Sequence, residues 1–307
     1  MSTLHIRFLG ALAALALSAA SLAQSPMRVV IPAEAGSDWD RAGRALGAAM
    51  LSVGAATTVE YANRGEAGGT RALAEFLQSS KGNPMTFLVG GQDLLIAAEL
   101  DPTSPRPQDG TPLARLAVGY FAVFVPPGSP HKTMADLARA FKAEPGSVAW
   151  DAGAPGSAQH LLVAYLARAL GADASRIRLA PGGSGATAGI GKLHDLAPAI
   201  KAGRVRALAV SAPKAVSGIP ALKEQGIDVV FGNWHGLFAA PGLRPSQRDE
   251  LLSRVKAATA APAWQALLAE RGWTPVYMHG SDYARFLDEE SRSAGFLAGT
   301  VGLRKRR

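Results

Sequence analysis

Two short segments of the sequence combine small residues, hydroxyls and acids at the point where a strand gives way to a helix. In the first segment, from Ile31 to Asp40, an apolar strand ends at Pro32 and helical periodicity begins near Asp40. A helix N-terminus offers unpaired amides and a partial positive charge, which suit a carboxylate or a phosphate. The alternative is that a hydroxyl or acid only caps the helix. The candidate ligand-binding residues here are Ala33, Glu34, Ala35, Gly36, Ser37, Asp38 and Asp40.

The second segment, from Trp150 to His160, repeats this order of strand, small-residue turn and helix. Loops at the carboxyl ends of strands are where open α/β sheets bind ligands, so two such turns facing one cleft would hold an anion from both sides. His160 either contacts the ligand or makes a hydrogen bond between elements. Gln92 follows a third strand, and Gly183 lies in a further glycine-rich turn. The candidates from these segments are Gln92, Gly153, Ala154, Gly156, Ser157, Gln159, His160 and Gly183.

Several kinds of chemistry have no matching pattern. The 307 residues include no cysteine, which excludes thiolate nucleophiles and cysteine-based metal sites, and the six histidines show no paired metal spacing. Gly182 to Ala186 is similar to a nucleophile elbow, but Ala186 replaces the second glycine and no triad order is visible. We therefore predict a protein that is not an enzyme, with no catalytic residue, no metal and no cofactor.

The positive charge does not indicate a nucleic-acid partner. Of the formal net charge of +8, Arg7 and the basic tail at residues 304–307 account for all but three units. In the remainder of the chain acids and bases are interspersed, whereas a nucleic-acid site needs a basic stripe. We expect no nucleic acid among the partners.

The N-terminus has the pattern of a secretory signal peptide. His5 and Arg7 precede the apolar run Phe8 to Ala20, and Ser21-Leu22-Ala23 forms a cleavage site of small residues. The alternative, a membrane anchor, would need about 20 apolar residues, more than this run supplies. We predict that residues 1–23 are removed near Ala23 and that the mature protein is exported, in a bacterium to the periplasm.

Strand and helix signals alternate along most of the mature chain, which indicates parallel sheets covered by helices. Two such series are joined by the long apolar run Leu113–Val125 and by Trp234–Ala239, which we interpret as crossing strands that act as a hinge. The predicted architecture is α/β with two lobes and a cleft between them. Lobe 1 comprises residues 24–122 and 238–303, and lobe 2 comprises residues 123–237.

The ordered set of motifs resembles the Bug family, the TctC-like periplasmic substrate-binding proteins of tripartite tricarboxylate transporters. The resemblance implies a type II-like periplasmic binding protein fold whose first two turns hold a small di- or tricarboxylate, or a related organic acid, through backbone groups. It also implies delivery of that acid to membrane subunits by a monomer. A sensor partner without transport, or an extracytoplasmic enzyme, stays open as an alternative. The motifs are Ile31 to Asp40, Asn63 to Gly69, Gly153 to His160, Ile200 to Ser211, Leu222 to Gly226, Asn233 to Gly242, Arg271 to Trp273, and Gly302-Leu303.

Two departures from that family pattern concern the ligand. Relatives carry a proline and several glycines in the first turn, where this chain has Glu34, Ala35, Ser37 and Asp38. Two acids beside an anion site would repel a carboxylate unless they turn outward or meet a cationic group of the ligand. The chain also lacks a helix after Ala186, which would expose one face of the second-lobe sheet or leave that lobe repacked.

Overall fold

The computed structural model describes residues 26–180 and 182–303, so the predicted signal peptide and basic tail lie outside the described residues. Strands and helices alternate through both halves of the chain. The strands are β1 Met27–Ile31, β2 Val59–Asn63, β3 Thr86–Gly91, β4 Thr111–Val125, β5 Ala149–Asp151, β6 Arg178–Leu179, β7 Ala188–Lys192, β8 Arg206–Val210, β9 Gly232–Ala239 and β10 Thr274–His279. The helices are α1 Asp38–Ser52, α2 Thr70–Ser79, α3 Gln92–Leu100, α4 Met134–Ala143, α5 Ala158–Leu170, α6 Leu193–Lys201, α7 Pro245–Thr259, α8 Pro262–Arg271 and α9 Gly280–Thr300.

Strand β4 is long enough to belong to both lobes. Its residues 111–120 pair antiparallel with β9, and residues 114–118 also pair with β10. Its last residues, 121–125, pair instead with β7 and β8. In the first lobe β1 lies between β2 and β3, parallel to both, whereas in the second lobe β5 lies parallel between β7 and β6. The predicted crossing strand Leu113–Val125 therefore joins the two sheets.

The second predicted crossing strand differs from its prediction. Residues 232–239 form β9, and among the described strands it pairs with β3 and β4 of the first sheet alone. The chain leaves the second lobe just before this strand, where the amide of Phe231 donates to the carbonyl of Ser211 over 3.0 Å. The strand pairing thus changes lobes near Tyr120 and Gly232, and the lobe boundaries at 122/123 and 237/238 stay a proposal.

The segment between β6 and β7, where the sequence analysis predicted a missing helix, is short and irregular. Between β6 and β7 the described residues 182–187 form only turns and bends. On β7, the ring of Phe124 lies so close to Gly189 that no Cβ would fit there. Phe124 thus covers the sheet at Gly189, and Ile190, which points to the opposite face, is buried as well. The predicted loss of a helix, with an exposed sheet face or a repacked lobe as its consequence, stays a prediction.

Candidate functional site

The cleft between the lobes is lined by the starts of two helices. It has a volume of about 690 Å³, and α1 and α5 both begin at its walls. Eight of the residues predicted from sequence line it: Ala33, Glu34, Ser37, Asp38, Ala154, Gly156, Ser157 and Gln159. The cleft therefore brings together the two turns that the sequence singled out, one from each lobe.

Ser37 and Asp40 organise the turn that precedes α1. The Ser37 Oγ accepts a hydrogen bond from the Asp40 amide over 3.2 Å, which makes Ser37 the N-cap. The carboxylate of Asp40 accepts from the amide of Gly36 over 2.8 Å and from Arg44 Nε over 2.9 Å. Burial raises the pKa of Asp40, but these hydrogen bonds outweigh that effect and lower it. Asp40 does not line the cleft, because its carboxylate oxygens accept hydrogen bonds within and beside the turn.

The turn before α5 is built in the same way. Ser157 caps the helix, and its Oγ accepts from the amide of His160 over 3.3 Å. The amide of Gly156, whose φ is +85°, donates to Nδ1 of His160 over 3.1 Å. Burial lowers the pKa of His160, which favours the neutral ring that this acceptor role requires. The imidazole of His160 thus holds the turn and does not line the cleft.

A carboxylate of the first lobe already lies on the helix end of the second lobe. Asp93, in the first turn of α3, accepts from the amide of Ala158 at the start of α5 over 3.2 Å. Burial raises the pKa of Asp93, although Lys192 and this hydrogen bond act in the opposite direction. The contact shows that a first-turn amide of α5 can donate to a carboxyl oxygen, as expected for a helix N-terminus.

Four charged residues form an ion cluster across the two lobes. The Asp38 Oδ2 lies 2.7 Å from Lys192 Nζ, and its Oδ1 lies 2.7 Å from Arg271 Nη2. The same Nη2 lies 2.9 Å from Asp195 Oδ1. Asp38 and Arg271 belong to the first lobe, whereas Lys192 and Asp195 belong to the second. Two of the three contacts in this interlobe ion cluster, Asp38–Lys192 and Arg271–Asp195, therefore join the lobes.

Asp38 is ionised, and each of its two carboxylate oxygens contacts a cation of this cluster. Its side chain is 8% exposed, against 31% for Lys192 and 11% for Arg271. Burial raises the pKa of Asp38, but Lys192 and Arg271 together outweigh that effect and lower it. Both Asp38 oxygens contact protein cations, so of the two acids noted in the first turn only Glu34 faces the cleft without such an ion pair. Glu34 is exposed and lies against Gly65.

The remaining predicted residues do not line the cleft. Gln92 is buried, and its Oε1 has no hydrogen-bond partner among the described residues. Gly183 lies beside Asp151, whose Oδ2 would be 3.2 Å from a Cβ at that glycine. The other predicted residues absent from the lining are Ala35, Gly36, Asp40, Gly153 and His160. A role for any of the predicted residues in ligand binding stays a prediction.

Sequence reasoning missed Asp93, Lys192 and Arg271 as parts of the site. Asp93 directly follows the predicted Gln92, so its position after a strand was available as a signal. Lys192 lies 154 positions from Asp38, and Arg271 lies 233 positions from it. No local spacing could pair residues so far apart, because their proximity depends on how the two lobes meet.

The described residues form neither a membrane-spanning helix nor a metal-binding cluster. No helix within residues 26–180 and 182–303 has the length and apolarity to cross a membrane. The same residues contain no group of three or more His, Asp or Glu side chains placed to hold a metal ion.

Comparison with known proteins places the chain among transport receptors. Residues 46–303 match the family described as "Tripartite tricarboxylate transporter family receptor". The UPF0065 protein in the gbd 5' region of Cupriavidus necator is 29% identical over 296 residues, covering 92% of this chain and 89% of that one. A TctC solute-binding protein from Polaromonas has a TM-score of 0.74 at 21% identity, over 91% of this chain and 98% of that one. MatC from Rhodopseudomonas palustris with bound malate has a TM-score of 0.69 at 21% identity, over 89% of this chain and 98% of that one.

These likenesses confirm the predicted two-lobed solute-binding fold and the resemblance stated from the sequence motifs. The match begins at residue 46, so the first turn, with Glu34 and Asp38, lies outside the matched segment. The chain belongs to the tripartite tricarboxylate transporter receptor family.

Proposed function

We propose that this chain is an extracytoplasmic solute-binding protein that binds a small organic acid between its lobes and delivers it to the membrane subunits of a tripartite tricarboxylate-type transporter. The observation that carries the proposal is the cleft itself, in which the N-termini of α1 and α5 meet from opposite lobes. The contact of Asp93 with the Ala158 amide supports carboxylate binding at such a helix end. The malate-bound relative supports the same class of ligand.

The charges of the cleft favour an acid with few carboxylates. Glu34, Asp38 and Asp93 line the cleft, whereas Lys192 is the one cation among its described lining residues. Lys192 is already paired with Asp38 over 2.7 Å. A third ligand carboxylate would therefore meet these acids without a free cation to offset it. We propose a ligand with no more than two carboxylates, one of them on the helix amides, and with a hydroxyl or ammonium group near Glu34.

Delivery would depend on the equilibrium between open and closed lobes. A ligand that contacts both turns stabilises the closed form by the difference between its affinities for the two forms. Strand β4 and the chain at residues 231–232 are the two connections about which the lobes would move. The interlobe ion cluster joins the lobes through the protein's own side chains, and contacts from a ligand would add to it.

A binding screen on the mature protein tests the ligand class. We expect malate or aspartate, at about 100 times its dissociation constant, to stabilise the protein by about 2.7 kcal/mol, and citrate at the same concentration to stabilise it less. Glu34→Gly, compared by calorimetry with the wild type, should weaken aspartate and strengthen citrate. Citrate binding tighter than malate and aspartate in the wild type would contradict the charge argument, and no binding by any of them would contradict the proposed ligand class.

Two further measurements separate the alternatives. A binding protein releases its ligand unchanged, so malate or aspartate recovered intact after long incubation argues against an enzyme. Cells that express the chain with its transporter should take up the labelled acid, and cells that lack only this chain should not. Binding without any effect on uptake would favour the sensor alternative.

A further inference from the structure

A second cavity lies on the other side of the interlobe ion cluster from the cleft. Its volume is about 320 Å³, within the range of about 300–1,000 Å³ typical of small-molecule pockets. Asp38, Lys192 and Asn233 line both this cavity and the cleft, so these three residues form the wall between them. Arg271, by contrast, lines only the second cavity. We call this space the hinge-side cavity, because Gly119 and Tyr120 of β4 also line it.

The walls of the hinge-side cavity are mainly apolar and come from both lobes. Trp273 and Tyr120 contribute aromatic rings from the first lobe and from β4. The second lobe contributes one face of α6 and the turn that follows β8, with the apolar residues Leu193, Ile200, Val216 and Ile219. An apolar body held here would contact both lobes at once.

The described lining of the cavity carries more cations than acids. Its described lining includes three cations, Lys192, Lys201 and Arg271, against one acid, Asp38. Nη2 of Arg271 contacts Asp38 and Asp195, and the Arg271 side chain lines the cavity with 11% of its surface exposed. The exposed edge of a guanidinium is a strong donor to a carboxylate oxygen.

We propose that the hinge-side cavity is a second binding site, which takes a small monocarboxylate with an aromatic or short aliphatic body. The carboxylate would accept from the exposed edge of the Arg271 guanidinium, and the body would lie between Trp273 and the apolar face of α6. The cleft differs in both respects, because helix amides and the acids Glu34 and Asp93 line it instead. The second site therefore favours acids with a large apolar body, and a small polar acid such as malate has no such body.

Calorimetry with a matched pair of probes tests the site. The probes are 3-phenylpropionate and 3-phenylpropanol, which share the apolar body and differ in the charged group. We expect 3-phenylpropionate to bind and the alcohol to bind at least about tenfold more weakly. Malate at saturation should leave 3-phenylpropionate binding in place, because the two sites are separate. No detectable binding of 3-phenylpropionate up to about 10 mM, or equal affinity for the alcohol, would overturn the proposal.

Variants locate the site on the molecule. Ala197 is exposed on α6 and lines the cavity, so Ala197→Trp should fill it and weaken 3-phenylpropionate about tenfold or more. Ala202 is equally exposed at the end of α6 but does not line the cavity, and Ala202→Trp should leave binding unchanged. Arg271→Lys keeps a cation opposite Asp38 and removes the planar guanidinium that lines the cavity, so it should also weaken binding about tenfold.

Each result bears on the proposal directly. Unchanged binding in both Ala197→Trp and Arg271→Lys would overturn it. Loss of 3-phenylpropionate binding in the cleft variant Gly156→Val, with Ala197→Trp unaffected, would place the probe in the cleft and overturn it equally. Should one of the two site variants fail to fold, the other still decides, because they alter different walls of the cavity.

Discussion

Neutralising Asp38 should loosen the junction between the lobes. Asp38→Asn removes one charge from the interlobe ion cluster and leaves Lys192 without its carboxylate and Arg271 with Asp195 alone. The N-cap of α1 is Ser37, whose hydrogen bond to the Asp40 amide does not involve Asp38. The substitution therefore tests the ion cluster with little change to the start of the helix.

The size of the effect follows from burial. Removing one partner of a fully buried ion pair costs about 3–5 kcal/mol, because the other charge stays buried and unpaired. Lys192 is 31% exposed, so water partly screens it and we expect a smaller loss, of about 2–3 kcal/mol. For a chain of this size that corresponds to a fall in melting temperature of about 4–12 °C.

The assay combines thermal unfolding with small-angle scattering of the ligand-free protein. We expect Asp38→Asn to lower the melting temperature and to increase the radius of gyration, because the lobes lose contacts that join them. Glu75→Gln is the control, since it breaks the Arg64–Glu75 pair of 2.8 Å within one lobe, whose side chains are nearly half exposed. Such an exposed pair contributes at most about 1 kcal/mol.

A double-mutant cycle with Lys192→Met gives the decisive number. If Asp38 and Lys192 interact across the lobes, the two changes together cost less than the sum of the single changes, by about 1–2 kcal/mol. Additivity within about 0.3 kcal/mol, together with an unchanged radius of gyration, would refute the argument that this pair joins the lobes.

Three further predictions concern pH, the second turn and export. Burial lowers the pKa of His235 to about 3, so the unfolded chain binds this proton first, and stability falls as the pH drops below 6.5 towards 3. The free energy of unfolding falls by about 2 kcal/mol by pH 5. His235→Phe keeps a ring stacked on Trp273 and removes the titrating group, so its melting temperature should depend less on pH in this range. The same pH dependence in the variant and the wild type would contradict the role of His235. Gly156→Val should weaken ligand binding in the cleft about tenfold or more, because φ is +85° and the added Cβ would lie 2.6 Å from Leu100 Cδ1 on the opposite lobe. Gly36→Val is the control, because a Cβ at Gly36 would lie in open space. If Gly36→Val weakened binding as much as Gly156→Val does, the contact with Leu100 could not explain the loss. Mass spectrometry of the exported protein should find Gln24 at, or within a few residues of, the N-terminus, whereas an intact Met1 in a cytoplasmic fraction would contradict the predicted signal peptide.

The local features of this protein could be predicted from the sequence. The alternation of strand and helix patterns gave the two-lobed architecture, and the two strand–turn–helix segments gave both walls of the cleft. The caps Ser37 and Ser157 act on amides three positions away, so residue type and spacing determine them. The same holds for the turn around Gly156, whose left-handed backbone favours glycine.

The tertiary structure alone decided which charges meet. The sequence left open whether Asp38 turns outward or meets a cationic group of the ligand, and the structure pairs it with Lys192 and Arg271 of the protein itself. It also places Asp93 on the helix end of the other lobe and forms the hinge-side cavity from segments far apart in the chain. Such contacts depend on the relative position of the two lobes, which the packing of the whole sheet fixes and which no periodicity along the chain records.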